Sequence, residues 1–211
     1  MLSNFKFPYF SRNIAEFWRR WHISLSSWFR DYVYIPLGGS KFGKRKTFRN
    51  VLIIFIVSGF WHGASWNFIV WGFIHACGFL FLQMITKGEK QITEVVAENR
   101  SLPNLRELRQ MTLTFLFVTF AWIFFRASSV QIAFDYIYKI GQSLVLAPNE
   151  ILNAPGGKIA LIYILPLLLG DWHFRRDERN LKMRAVLAYI LFFIILDFGL
   201  GEEKSFIYFA F

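Results

Sequence analysis

Residues 51–85 read VLIIFIVSGFWHGASWNFIVWGFIHACGFLFLQMI, with no Lys, Arg, Asp or Glu anywhere in the run. A membrane-crossing helix takes about 20 residues, so the run is too long for one span and short for two. Its middle, SGFWHGASWN at 58–67, gathers two glycines and several polar groups and reads as a break. A tight or re-entrant helical hairpin fits the run best.

The surrounding chain points the same way. Of its 211 residues, 55% are hydrophobic, 20% aromatic and 18% charged, against roughly 25% charged in a soluble domain. Disordered chains are poor in aromatics, and a lone Cys77 excludes an internal disulfide scaffold. A soluble globule could not hide this much apolar surface. Further apolar runs at 111–127, 158–171 (holding Pro166) and 185–200 (holding Asp197) read as spans. The segment 87–110 reads as a polar loop or surface helix, and 128–157 as mildly amphipathic and then loop-like. There is no internal repeat or low-complexity tract, and residues 1–10 lack the apolar core of a signal peptide. The expected fold is all-α, a polytopic membrane protein.

The net charge of +10 raises nucleic acid as a partner. The basic residues are split among apolar runs and make no continuous face, so no nucleic-acid partner is expected. They follow the positive-inside rule instead. If 51–85 returns to the side it left, then 41–49, 87–109 and 172–184, each with five Lys or Arg, share one side. On the other side 128–157 holds only Lys139 and the C-terminal tail only Lys204. The three basic loops are therefore read as cytoplasmic, with the lipid bilayer as the first partner.

Residues 12–35, RNIAEFWRRWHISLSSWFRDYVYI, place Trp18, Trp21, Leu25, Trp28, Phe29 and Tyr32 at three- and four-residue steps. Arg12, Glu16, Arg19, Arg20, Arg30 and Asp31 fill much of the rest. This predicts one amphipathic or re-entrant helix at the interface, ended by Pro36 and Gly38-Gly39.

Four histidines are the candidates for chemistry. His62 stands at the break of the hairpin, between Gly59 and Gly63. Irregular backbone at membrane depth survives only when buried in protein or lining a wet cavity. On the residues alone, a cavity-facing histidine and one that merely ties the break together fit equally. His22 lies beside the Trp-rich face of 12–35, and an interfacial ring reaching water is its plainer reading. His75, thirteen residues after His62, falls on another face of a helix and reads as a structural hydrogen-bonding group. His173, in the basic stretch DWHFRRDERN, reads as solvated. There is no HExxH, paired Cys/His set, GxSxG, Walker loop or GxGxxG. No metal or bound cofactor is expected. A histidine base acting on a hydroxyl needs none of these motifs.

Two blocks carry a family resemblance. Phe17-Trp18-Arg19-Arg20-Trp21-His22-Ile23-Ser24-Leu25-Ser26, then Trp28, then Arg30-Asp31-Tyr32-Val33-Tyr34-Ile35-Pro36-Leu37-Gly38-Gly39, closely resemble a block of the membrane-bound O-acyltransferases (MBOAT). The likeness is greatest to the bacterial branch of the alginate O-acetyltransferase membrane subunit. The D-alanyl transferase of teichoic acid synthesis belongs to the same broader group. Gly59-Phe60-Trp61-His62-Gly63-Ala64-Ser65-Trp66, followed by Trp71-Gly72, resembles that family's catalytic histidine motif. The ending Phe206-Ile207-Tyr208-Phe209-Ala210-Phe211 is similar to the branch's C-terminus. Family members are roughly twice as long, so residues 1–211 are expected to be the C-terminal half of an MBOAT domain, with an N-terminal half as partner.

The resemblance implies a role for each block. His62 corresponds to the catalytic histidine, acting as general base, and His22 to the second polar position, which orients the reacting groups or steadies an oxyanion. Trp18, Trp21, Trp61, Trp66 and Asn67 are expected to line the substrate tunnel. Arg19, Arg20 and Arg30 are expected to anchor the helix at headgroups or to attract an anionic donor. The implied reaction moves an acyl group, expected to be acetyl, from a cytosolic thioester toward hydroxyls of an exopolysaccharide such as alginate. The donor is acetyl-CoA or an acyl-carrier protein, and a periplasmic transfer partner belongs to the scheme. The location implied is the bacterial inner membrane. A non-catalytic membrane scaffold and a transporter or channel module remain the other readings.

Overall fold

The computed structural model describes residues 4–86, 95–146 and 155–176, and among these it is helical throughout, without a strand. Seven helices follow a short 3₁₀ turn at Pro8–Phe10: α1 Ile14–Arg20, α2 Ile23–Phe29, α3 Lys44–His62, α4 Trp66–Thr86, α5 Leu105–Arg126, α6 Val130–Leu146 and α7 Pro155–Phe174. The chain divides into two compact units, 1–147 and 148–211. In the second, α7 opens on Pro155 and contains Pro166. Past its end, Arg175 donates to the Trp172 carbonyl at 2.6 Å and lies 3.8 Å over its ring. The apolar run 185–200 and the C-terminal block lie outside the described residues.

In the first unit the apolar run 51–85 forms most of two helices joined by only three residues, 63–65. α3 carries a basic first turn, Lys44-Arg45-Lys46, ahead of the apolar run, and so starts at Lys44 rather than at Val51. Glycines let α3 and α4 pack antiparallel at backbone contact. A Cβ at Gly59 would stand 2.3 Å from the Phe68 carbonyl oxygen, and one at Gly72 2.3 Å from that of Phe55. Two of the helices, α4 and α5, are long and apolar enough to cross a membrane. α5 begins at Leu105, six residues before the apolar run, because Asn104 and Glu107 close a reciprocal capping box there.

Residues 12–35 are not one helix. The chain breaks at Trp21-His22, where His22 takes a left-handed conformation (φ 43°, ψ 56°) between α1 and α2. After α2 it passes through a π-helical turn at Arg30–Tyr34. The bend is held from outside. Lys6 N–H donates to the Arg20 carbonyl, Ile23 N–H to the Asn4 carbonyl, and Ser24 N–H to Asn4 Oδ1. The three-and-four spacing of the aromatics passes through one left-handed residue almost unchanged, which is why the pattern reads as continuous.

Among the described residues, three apolar clusters pack the helices of the first unit together. Val51, Phe55, Ala76 and Leu80 join α3 to α4. Trp71, Ala121, Phe124 and Ala133 join α4, α5 and α6. Ile14, Phe17 and Val118 seat α1 on α5. Trp18 packs against all three, so the first His block is anchored where the clusters meet. Buried Asn50 adds a polar tie, donating from Nδ2 to the carbonyls of Leu37 (3.1 Å) and Gly39 (2.9 Å). It fixes the turn of Gly38 and Gly39, whose positive φ values of 95° and 55° suit glycine.

Candidate functional site

His62 is the last residue of α3, where Gly63 turns the chain away. A side chain at Gly63 would meet the Phe68 ring at 2.7 Å. The half-buried imidazole sits in an aromatic cup, edge-on to Trp61 (4.9 Å between centroids), Trp71 (5.3 Å) and Phe125 (4.9 Å). Phe125 comes from α5, so three helices build the cup.

His22 is close enough to His62 for the two imidazoles to act on each other electrostatically. The bend between α1 and α2 sets the second histidine within electrostatic range of the first. Its Nδ1 is buried without a hydrogen-bond partner. A left-handed φ at a non-glycine residue is sparsely populated and persists where its surroundings over-determine it. Here Asn4, Lys6 and Ile23 supply that constraint.

The other expected site residues divide. Trp18 and Trp21 are half-buried in the aromatic core, Trp21 stacking on Phe17 at 5.6 Å and tilting against Trp122 at 5.1 Å. Trp61 and Trp66 are 58% and 76% exposed in this chain. Trp61 forms one wall of the cup. Asn67 is buried and committed elsewhere. Its Nδ2 donates to the carbonyls of Phe124 (3.4 Å) and Ala127 (2.8 Å), and its Oδ1 meets the Ser65 hydroxyl. It ties the start of α4 to the end of α5.

The arginines divide too. Arg20 is ion-paired to buried Glu16 at 2.7 Å. Arg30 pairs with its neighbour Asp31 at 2.8 Å in an exposed position, and the hydrogen bond from Arg30 holds the Asp31 carboxyl below the usual carboxylate range. Arg19 is exposed on α1. His173 is exposed in the last turn of α7, a helix end where a loop was expected.

His75 departs most from expectation. It is fully buried, yet neither ring nitrogen has a hydrogen-bond partner among the described residues. It does not do the structural hydrogen bonding that its position on α4 suggests. It is enclosed by rings instead, with Trp18 and Trp71 edge-on at 5.0 Å each and Phe17 and Phe55 stacked at 6.5 and 6.3 Å. The sequence does give a signal for this cage: His75 is one helical turn from Trp71.

Among the described residues, two helices are long and apolar enough to cross a bilayer, and His62 sits in an aromatic cup with His22 within electrostatic range. Residues 3–120, more than half of the chain, match MBOAT, the membrane-bound O-acyltransferase family, and the chain belongs to that family. It is 38% identical over 192 residues to the probable alginate O-acetylase AlgI of Pseudomonas aeruginosa, covering 89% of this chain and 35% of that protein. It is 37% identical over 130 residues to the peptidoglycan O-acetyltransferase of Helicobacter pylori, covering 62% and 23%. It is 33% identical over 133 residues to the teichoic acid D-alanyltransferase of Bacillus subtilis, covering 58% and 32%. The chain thus spans 23–35% of the length of these curated relatives.

Proposed function

We propose that this chain carries the reaction centre of a membrane O-acyltransferase that moves an acetyl group from a thioester to a hydroxyl. The observation that carries the reading is the seat of His62 at the α3–α4 elbow, inside a cup of Trp61, Trp71 and Phe125, with His22 within electrostatic range of it. Three relatives named for acetyl or D-alanyl transfer to cell-surface polymers support it.

In this reading the acceptor hydroxyl lies against His62, whose free ring nitrogen takes the proton as the oxygen attacks the acyl carbon. The new C–O bond forms, the C–S bond breaks, and the proton passes from the imidazolium to the departing thiolate. His22 lies beside that proton path and orients the acceptor. Trp61, Trp71 and Phe125 exclude water, which otherwise competes as the nucleophile. Trp18 and Trp21 hold the His22 bend in place as well as bordering the path.

The donor is acetyl-CoA or an acyl-carrier thioester on the cytoplasmic face, where the basic 41–49 stretch lies. Exposed Arg19 is placed to attract such an anionic donor, and Arg20 and Arg30 pair with Glu16 and Asp31. The final acceptor is a secreted polysaccharide of the alginate kind, reached through a periplasmic transfer partner. The remainder of the domain completes the path through the bacterial inner membrane. No residue role here calls for a metal or a bound cofactor.

The test uses membranes carrying the full open reading frame and radiolabelled acetyl-CoA. Label should reach a secreted glycan or a periplasmic protein with the wild type. It should fall by about 100-fold or more with His62→Ala, the span of a lost general base, while expression and insertion hold. Undiminished transfer by His62→Ala sinks the assignment.

A further inference from the structure

We infer that Trp18, Trp71 and His75 form a second polar binding point of the same site, which takes the carbonyl oxygen of the acyl donor. The inference rests on the acyltransferase reading above. Among the described residues, five buried side-chain nitrogens have no partner: Trp18 Nε1, His22 Nδ1, Trp71 Nε1 and both nitrogens of His75. Four of the five belong to three rings in mutual contact, with centroids 5.0 Å (Trp18–His75), 5.0 Å (Trp71–His75) and 5.9 Å (Trp18–Trp71) apart. Each buried polar group left unpaired costs roughly 1–3 kcal/mol. An apolar ring at position 75 would avoid that cost and still stack on Phe17 and Phe55. A cluster of such groups asks what fills it.

The inventory of groups identifies the class of occupant. Each indole offers one donor, and a neutral imidazole one donor and one acceptor. Three donors to one acceptor suit an oxygen with two lone pairs. The rings around His75 bring no cation, so the oxygen is uncharged on arrival. A carbonyl fits.

The position fits as well. Trp71 touches both His62 (5.3 Å) and His75 (5.0 Å), so the cage is one ring away from the proposed base. Trp18 lies on α1, just before the bend that presents His22. When the acceptor oxygen attacks, negative charge builds on the acyl oxygen. N–H donors that meet it there would lower the barrier, and loss of one such donor typically costs 100- to 1,000-fold in turnover, an order-of-magnitude span.

The experiment purifies the full-length protein and measures acetyl transfer and the thermal midpoint for wild type, His62→Ala, His75→Leu and His75→Gln. His75→Leu should lower kcat about 100-fold, with the thioester KM changed far less and the midpoint equal to or above that of wild type. His75→Gln keeps an N–H donor and a carbonyl acceptor, and should recover about tenfold of the loss. Wild-type turnover in His75→Leu overturns the inference and leaves the reading of His62 standing, because a packing role or a resident water then accounts for the cage. A joint fall of midpoint and kcat, with no recovery by Gln, also overturns it. Transfer that survives in His62→Ala, or is absent from wild type, removes the underlying reading and the inference together.

Discussion

Two regions of this chain bury polar groups, and they treat them in opposite ways. At the α1–α5 junction, Glu16 is 1% exposed and fully engaged. It accepts from the Arg12 backbone (2.7 Å), from Arg12 Nε (3.2 Å) and Nη2 (3.1 Å), and from Arg20 Nη2 (2.7 Å). Arg12 reaches on to Glu107 at 3.7 Å, which also takes the N–H of Asn104. At the α1–α4 junction, His75, Trp18 and Trp71 bury four nitrogens with no partner among the described residues. The clamp has every charge answered and fixes the start of α5 against α1. The cage has its hydrogen bonds unmade and lies against the proposed base. Satisfied polar networks rigidify a fold, while each unsatisfied buried group calls for a cause, be it strain, a catalytic role or a bound water or ion.

The comparison breaks most visibly at Glu16. Glu16→Leu takes the buried carboxylate away from the guanidinium groups of Arg12 and Arg20, whose side chains are 7% and 15% exposed. A buried pair broken from one side costs about 3–5 kcal/mol. The thermal midpoint of the purified protein should fall steeply, with transfer per folded molecule retained. A stable Glu16→Leu protein with impaired turnover would reverse the roles assigned to the two regions.

Gly72→Ala comes next. Its Cβ would stand 2.3 Å from the Phe55 carbonyl oxygen, so α3 and α4 must separate beside Trp71. A forced fit of this kind costs about 1–3 kcal/mol, and transfer should fall together with the midpoint because the cup at His62 opens. Asn67→Ala is the smallest. It removes the two bonds to the Phe124 and Ala127 carbonyls at about 1–2 kcal/mol. Its midpoint should drop while kcat stays close to wild type. A selective loss of kcat would return Asn67 to the substrate path, where the sequence alone places it.

The helices at 51–85 are legible because charge is missing over the whole run and glycines crowd its centre. Those cues act locally. The start of α5 is less so, since Leu105–Arg109 carries Arg106, Glu107 and Arg109, and only the Asn104–Glu107 capping box makes a helix of it. The bend at His22 escapes the pattern because it depends on bonds from residues 4–6. In the site, His62 and His22 stand out as residue types in recognisable blocks. Phe125 in the cup does not, since it lies 63 positions on and belongs to an ordinary apolar helix. Arg12, Glu16 and Arg20 show their four-residue spacing plainly. Their burial depends on α5 and is invisible from that spacing.

The claim that chemistry runs at the α3–α4 elbow is tested most directly by single-turnover transfer. The full-length protein would be mixed with labelled acetyl-CoA and a small hydroxyl acceptor, for wild type and His62→Ala, with rates normalised to the folded fraction. The account predicts a first-order rate at least about 100-fold lower in His62→Ala, at an unchanged thermal midpoint. Equal rates in the two proteins would contradict it.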